Sequence, residues 1–103
     1  MKRDYCSKPF KIAVAMGDSV TAGRTATQPE LCWVVLLTKL LNEAQLEPIK
    51  MMNCGLSGNL ISKRSPAYAQ SEKYSALERY TKDVIDKSPN LILLAYGLND
   101  ARA

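Results

Sequence analysis

At 103 residues, 47% hydrophobic and 23% charged, the chain has material for one apolar core and the composition of a globular domain, which excludes a fibre or a disordered tail. Its 14 basic and 10 acidic residues leave a formal charge of +4. Only Lys2-Arg3 and Lys63-Arg64 are adjacent cations, too little clustering for a nucleic-acid footprint.

The start, MKRDYC, is charged like the head of a signal peptide. The apolar run that follows, IAVAM, is too short for a signal core, and no small-residue cleavage site comes after it. No stretch reaches the ~18 apolar residues of a membrane span. Cys6, Cys32 and Cys54 stand at no metal-ligand spacing, and the sequence has no histidine to join them. The default expectation is a cytoplasmic protein with reduced thiols, no disulfide framework, and neither a metal nor an organic cofactor. Oligomeric state is left open by the sequence.

Residues 11–16, KIAVAM, are a short apolar run stopped by Gly17, the pattern of a strand buried on both faces. Next, TQPELCWVVLLTKLLNEAQ places Thr27 and Glu30 at capping-box spacing with Pro29 in the first turn. Leu31, Val34, Val35, Leu37, Leu40, Leu41 and Ala44 then recur at helical intervals. EPIKMMN reads as a second strand, running into the glycine-bearing loop NCGLSGN. Residues 59–70 keep no period and read as loop with room for a helical turn. From Ser71 a helix is expected, with a capping box at Ser75 and Glu78. Its apolar stripe is Tyr74, Leu77, Val84 and Ile85, with Lys73, Arg79, Lys82 and Lys87 turned to water. Pro89 closes it, and NLILLAYG is a third apolar strand halted by Gly97.

The order βαβαβ, with right-handed crossovers, predicts a three-stranded parallel sheet covered by helices. Loops 17–23, 53–59 and 97–100 then all leave the carboxyl ends of strands, the edge where open α/β sheets bind ligands. Each loop alone is ambiguous. Gly17, Asp18 and Ser19 suit a helix-capping turn as well as a nucleophile. Gly55 and Gly58 suit a turn, or an N–H presented where no Cβ obstructs a substrate. Asn99 can cap a helix, or donate its amide to an oxyanion. The spacing from Gly17 to Gly23 matches neither phosphate-binding glycine motif, and Thr21 breaks the G-x-S-x-G elbow.

Taken together, GDSV after the first strand, N-x-G-x-x-G after the second and G-x-N-D after the third resemble the first three sequence blocks of the SGNH, or GDSL-type, serine hydrolases. The resemblance spans residues 11–102. It implies a flavodoxin-like, three-layer α/β fold with strand order 2-1-3, and an esterase or acyl hydrolase acting on a small-molecule ester. It also implies that Ser19 is the nucleophile, and that an oxyanion hole is formed by the N–H of Ser19, the N–H of Gly58 and the side-chain amide of Asn99. Asp18 and Asp100 match motif positions as loop-shaping acceptors. Val20 stands for the commoner Leu and Asn59 where Asp is frequent.

One block is missing. The family's D-x-x-H, which supplies the general base and the acid that orients it, has no counterpart here. A serine hydroxyl without a base is a poor nucleophile. The expectation is therefore that residues 1–103 are the N-terminal half of a single hydrolase domain, inactive alone. The other readings are an anion-binding module that keeps the same pocket without catalysis, and a small α/β interaction domain whose loops are merely turns.

Overall fold

The computed structural model describes residues 9–101, so the charged start and Cys6 lie outside the described residues. Ile12–Gly17 forms β1, and it is the central strand: the sheet order is β2-β1-β3, with β2 spanning Lys50–Gly55 and β3 Leu91–Ala95. Both pairings are parallel, and Ala15 stands opposite Asn53 on one side and Leu93 on the other. The position follows from composition. Ala13, Val14, Ala15 and Met16 carry no polar side-chain group and are 0–1% exposed, as a strand flanked on both edges and covered on both faces requires.

Alternation along the strands sorts side chains into two apolar clusters. Ala15 packs with Cys32, Val34, Met51 and Leu93 on one face, beneath α2, Trp33–Ala44. Val14 and Met16 pack with Met52, Cys54, Ala76, Val84 and Tyr96 on the other, beneath α4, Ala76–Asp83. The result is the helix–sheet–helix sandwich expected of this element order. Burying Val14 and Met16 fully is worth about 1.5–3 kcal/mol each.

Polar staples fix the strand starts. The buried Gln45 donates to the carbonyls of Phe10 (2.7 Å) and Glu47 (2.8 Å) and accepts from the N–H of Phe10. The Asn90 carboxamide accepts from the N–H groups of Lys11 and Ile12 at 3.0 and 3.1 Å.

Three local expectations are corrected. No capping box forms at Thr27: Pro29–Leu31 is a separate 3-10 turn, and α2 begins at Trp33. The break lies at Cys32, in extended backbone (ψ 136°), whose buried thiol donates to the carbonyl of Thr21 at 3.3 Å. That tertiary anchor overrides the local helix signal.

The apolar stripe expected from Tyr74 to Ile85 is buried only at Val84, while Tyr74, Leu77 and Ile85 are exposed. Leu77 and Ile85 instead line an apolar groove of about 550 Å³ together with Ile92 and Leu94 of β3. Arg79 does not face water. Its side chain is 12% exposed and lies under the sheet edge that carries the loops. The capping contact at Ser75 is present, the Glu78 carboxylate reaching back to the Ser75 N–H at 3.1 Å. Among the described residues no helix is long and apolar enough to cross a membrane.

Candidate active site

The chain leaves β1 through Gly17 and turns at once into α1, a single helical turn over Ser19–Ala22. The turn is tight enough that a Cβ on Gly17 would sit 2.2 Å from Thr21 Oγ1 and 2.7 Å from the Ala95 carbonyl. Asp18, 4% exposed, is the N-cap: its Oδ1 accepts from the Val20 N–H at 3.0 Å. Ser19 is therefore the first helical residue, half-buried at the sheet edge. Its N–H belongs to the first turn, where the helix leaves its backbone donors unused.

The second loop is bonded directly to the first. Asn53 in β2 donates its amide to the Thr21 carbonyl at 2.7 Å while its Oδ1 accepts from the Gly55 N–H at 2.9 Å. The N–H of Leu56 reaches the Gly17 carbonyl at 2.9 Å. Gly55 lies so close under α1 that a Cβ there would be 2.3 Å from the Ala22 nitrogen. Beyond it, Leu56–Asn59 closes a turn, with the Asn59 N–H on the Leu56 carbonyl at 3.0 Å. Gly58 occupies its third position at φ +74°, left-handed backbone that a side chain would strain.

The third loop meets both others at Asn99. Its amide nitrogen lies 3.4 Å from Asp18 Oδ2 and 3.4 Å from the Asn59 carbonyl. The Asn99 side chain thus touches the residue before Ser19 and the residue after Gly58. Asp100 anchors the loop from behind, accepting at Oδ1 from the Ile61 N–H (2.9 Å) and from the Ser65 hydroxyl. Asp18 and Asp100 act as hydrogen-bond acceptors inside loops, and Gly17, Asp18, Ser19, Gly58 and Asn99 are gathered at one edge of the sheet.

The buried Asn59 ties this edge together. Its Oδ1 accepts from Arg79 Nη1 (2.6 Å) and from the Tyr96 hydroxyl (2.7 Å), and its amide donates to the Tyr74 carbonyl at 2.7 Å. Arg79 also donates to the Cys54 carbonyl (2.7 Å) and to Asp83 (2.9 Å). Burial pushes the Tyr96 phenol up to about 12, so it stays a neutral donor. This supporting cluster is not legible in the sequence, because Arg79 and Tyr96 belong to no motif. A basic residue four before an acidic one, as Arg79 is to Asp83, reads as an exposed helix pair.

The cysteines are poor rivals to Ser19. Burial holds the Cys54 thiol above its ordinary range, and Cys32 is buried and bonded to Thr21. A cavity of about 820 Å³ between Leu56, Tyr68, Lys73 and Arg79 borders the second loop at Leu56 and is lined by none of Ser19, Gly58 and Asn99. Among the described residues no group of His, Cys, Asp and Glu could hold a metal ion.

Residues 13–103 match the family model of GDSL-like lipases and acylhydrolases. Two solved structures share the fold. One is a G-D-S-L family protein from Desulfitobacterium hafniense DCB-2, 25% identical with a TM-score of 0.61, aligned over 88% of this chain and 41% of its own. The other is a two-domain esterase active on acetylated mannans, 20% identical with a TM-score of 0.62, aligned over 90% of this chain and 23% of its own. The chain thus spans less than half the length of either. No curated protein matches it. With the matched segment covering all three strands and all three loops, the chain belongs to the GDSL-like lipase/acylhydrolase family.

Proposed function

We propose that the chain carries the nucleophile-bearing part of an ester hydrolase, and that Ser19 forms an acyl-enzyme with a small carboxylic ester. In this reading the Ser19 hydroxyl attacks the ester carbonyl, and the negative charge that develops on the carbonyl oxygen meets three fixed donors. These are the N–H of Ser19, the N–H of Gly58 and the amide of Asn99. One such donor is worth about 3 kcal/mol in a transition state. Collapse of the tetrahedral intermediate expels the alcohol, and water then releases the acid.

The observation that carries the proposal is the contact of Asn99 with both Asp18 and Asn59. A carboxamide that bridges the neighbours of Ser19 and of Gly58 belongs at a point common to all three loops, and its two contacts, at 3.4 Å, are long enough for one N–H to turn to an oxyanion instead.

The general base is not among these residues, since the sequence contains no histidine. We propose that the 103 residues are part of a larger catalytic domain whose base lies elsewhere, and that the chain alone turns over slowly. An oxyanion hole without a triad still exceeds the reaction in water by roughly a thousandfold. The same lack of a base would suit a module that holds an anion without cleaving anything, so the test has to read covalent chemistry.

That test is treatment with diisopropyl fluorophosphate, with and without imidazole as an added base, read by intact mass and peptide mapping. The expected result is one diisopropylphosphoryl group on Ser19, formed faster with imidazole and lost in Ser19→Ala. Labelling spread over other residues, or no faster at Ser19 than in an unfolded peptide, would refute the proposal.

A further inference from the structure

Lys73 lies outside every motif of the sequence, and its ammonium donates to the carbonyl oxygen of Ser57. That carbonyl belongs to the same peptide unit as the Gly58 N–H. No peptide bond among the described residues is cis, and in a planar trans peptide the C=O and N–H point in opposite directions. Holding the oxygen on the Lys73 side therefore turns the Gly58 N–H to the side away from Lys73.

The hold matters because this peptide is the central one of the Leu56–Asn59 turn. Central peptides of such turns have two orientations, about a half-turn apart, and positive φ at the third residue marks one of them. Gly58, at φ +74°, sits in that one, but glycine permits both. In the flipped turn a carbonyl oxygen would replace the donor, and a site meant to stabilise negative charge would repel it.

Lys73 is brought to the carbonyl by a backbone arranged for it. Glu72 ends the short helix Tyr68–Ser71 (α3) in left-handed backbone, φ 54°. The Ser71 hydroxyl accepts from the Lys73 N–H at 3.3 Å. Residues 74–77 then run beside 59–61, through Asn59 Nδ2 on the Tyr74 carbonyl (2.7 Å) and the Ala76 N–H on the Leu60 carbonyl (2.8 Å).

We infer that Lys73 is a positioning residue of the oxyanion site: its ammonium pins the Ser57–Gly58 peptide so that the Gly58 N–H stays available to an anion, and polarises that peptide so that the N–H donates more strongly. The inference rests on the oxyanion role proposed for Gly58, but the hold on the peptide can be measured separately.

The experiment is NMR on the uniformly ¹³C,¹⁵N-labelled chain. In the wild type, a through-hydrogen-bond coupling between Lys73 Nζ and the Ser57 carbonyl carbon is expected. In Lys73→Met, the Ser57 carbonyl carbon and the Gly58 amide should both shift upfield, and in Lys73→Arg both should return toward wild type. Acetate affinity, followed at the Gly58 amide, should fall roughly fivefold in Lys73→Met, the loss expected when one ordinary hydrogen bond's net contribution goes. Absence of the coupling, or unchanged Ser57 and Gly58 resonances in Lys73→Met, would overturn the inference. If acetate leaves the wild-type Gly58 amide unmoved while the coupling and shifts appear as expected, the oxyanion role fails and the hold of Lys73 on the peptide stands.

Discussion

Replacing Arg79 with Met separates the structure from a plain reading of the helix it sits on. As an exposed cation it should cost within about 0.5 kcal/mol. In the structure its guanidinium makes three bonds, to Asn59 Oδ1 at 2.6 Å, the Cys54 carbonyl at 2.7 Å and Asp83 at 2.9 Å. Asp83 is 29% exposed, so that pair is worth only about 0.5 kcal/mol. The other two are part-buried, charge-assisted bonds of about 1.5–3 kcal/mol each. Asn59 keeps its bond from Tyr96, which brings its loss to the lower end of that range. Methionine restores much of the apolar stem but none of the donors, so the expected cost is about 3 kcal/mol. For a domain of this size that lowers the melting temperature by about 12–24 °C. Urea unfolding followed by the fluorescence of Trp33, the only tryptophan, reads it directly. A loss under 1 kcal/mol would refute the buried-hub account of Arg79 and, with it, the argument that Asn59 is held from below.

Gly55→Ala should displace α1, because the new Cβ would meet the backbone of Ala22 at 2.3 Å rather than a side chain that could swing away; a cost of about 1–3 kcal/mol and loss of phosphorylation at Ser19 are expected, by denaturation and intact mass. Glu78 is held below its ordinary range by the Tyr68 hydroxyl and then by the Ser75 N–H, so its contribution is present above its unfolded value of 4.5 and lost as pH falls through the lower folded one. The stability gap between wild type and Glu78→Gln should therefore close on acidification below that value; a gap unchanged down to pH 2 would contradict the assignment. For Tyr96 the sign is reversed. Burial favours its neutral form, so stability should drain away as pH rises from 10 to about 12. An alkaline absorbance titration should show a late phenol that vanishes in Tyr96→Phe.

The sheet was legible because its strands announce themselves: KIAVAM and NLILLA are apolar runs bounded by glycine or asparagine, and the crossover rule then leaves few topologies. The three loops could be read for the same reason, since each motif directly follows a strand. What escaped was set by contacts distant in sequence. The helix at Thr27 looked capped, but Cys32 is pulled to Thr21 and restarts the helix at Trp33. Arg79 had the spacing of a surface ion pair, and only the path of residues 54–59 above it makes it a buried donor. Lys73 read as a water-facing cation of the helix, but it lies before that helix begins at Ala76, and its role depends on the direction of one peptide plane. The stripe of Leu77 and Ile85 was recognisable as apolar, but it faces a groove beside β3 rather than the core.

The central claim is geometric, and a crystal structure of the chain phosphorylated on Ser19 by diisopropyl fluorophosphate tests it most directly. A single phosphoryl oxygen should lie about 2.7–3.1 Å from each of three donors, Ser19 N, Gly58 N and Asn99 Nδ2. An oxygen turned to solvent, with Gly58 N or Asn99 Nδ2 beyond hydrogen-bond reach, would contradict the account.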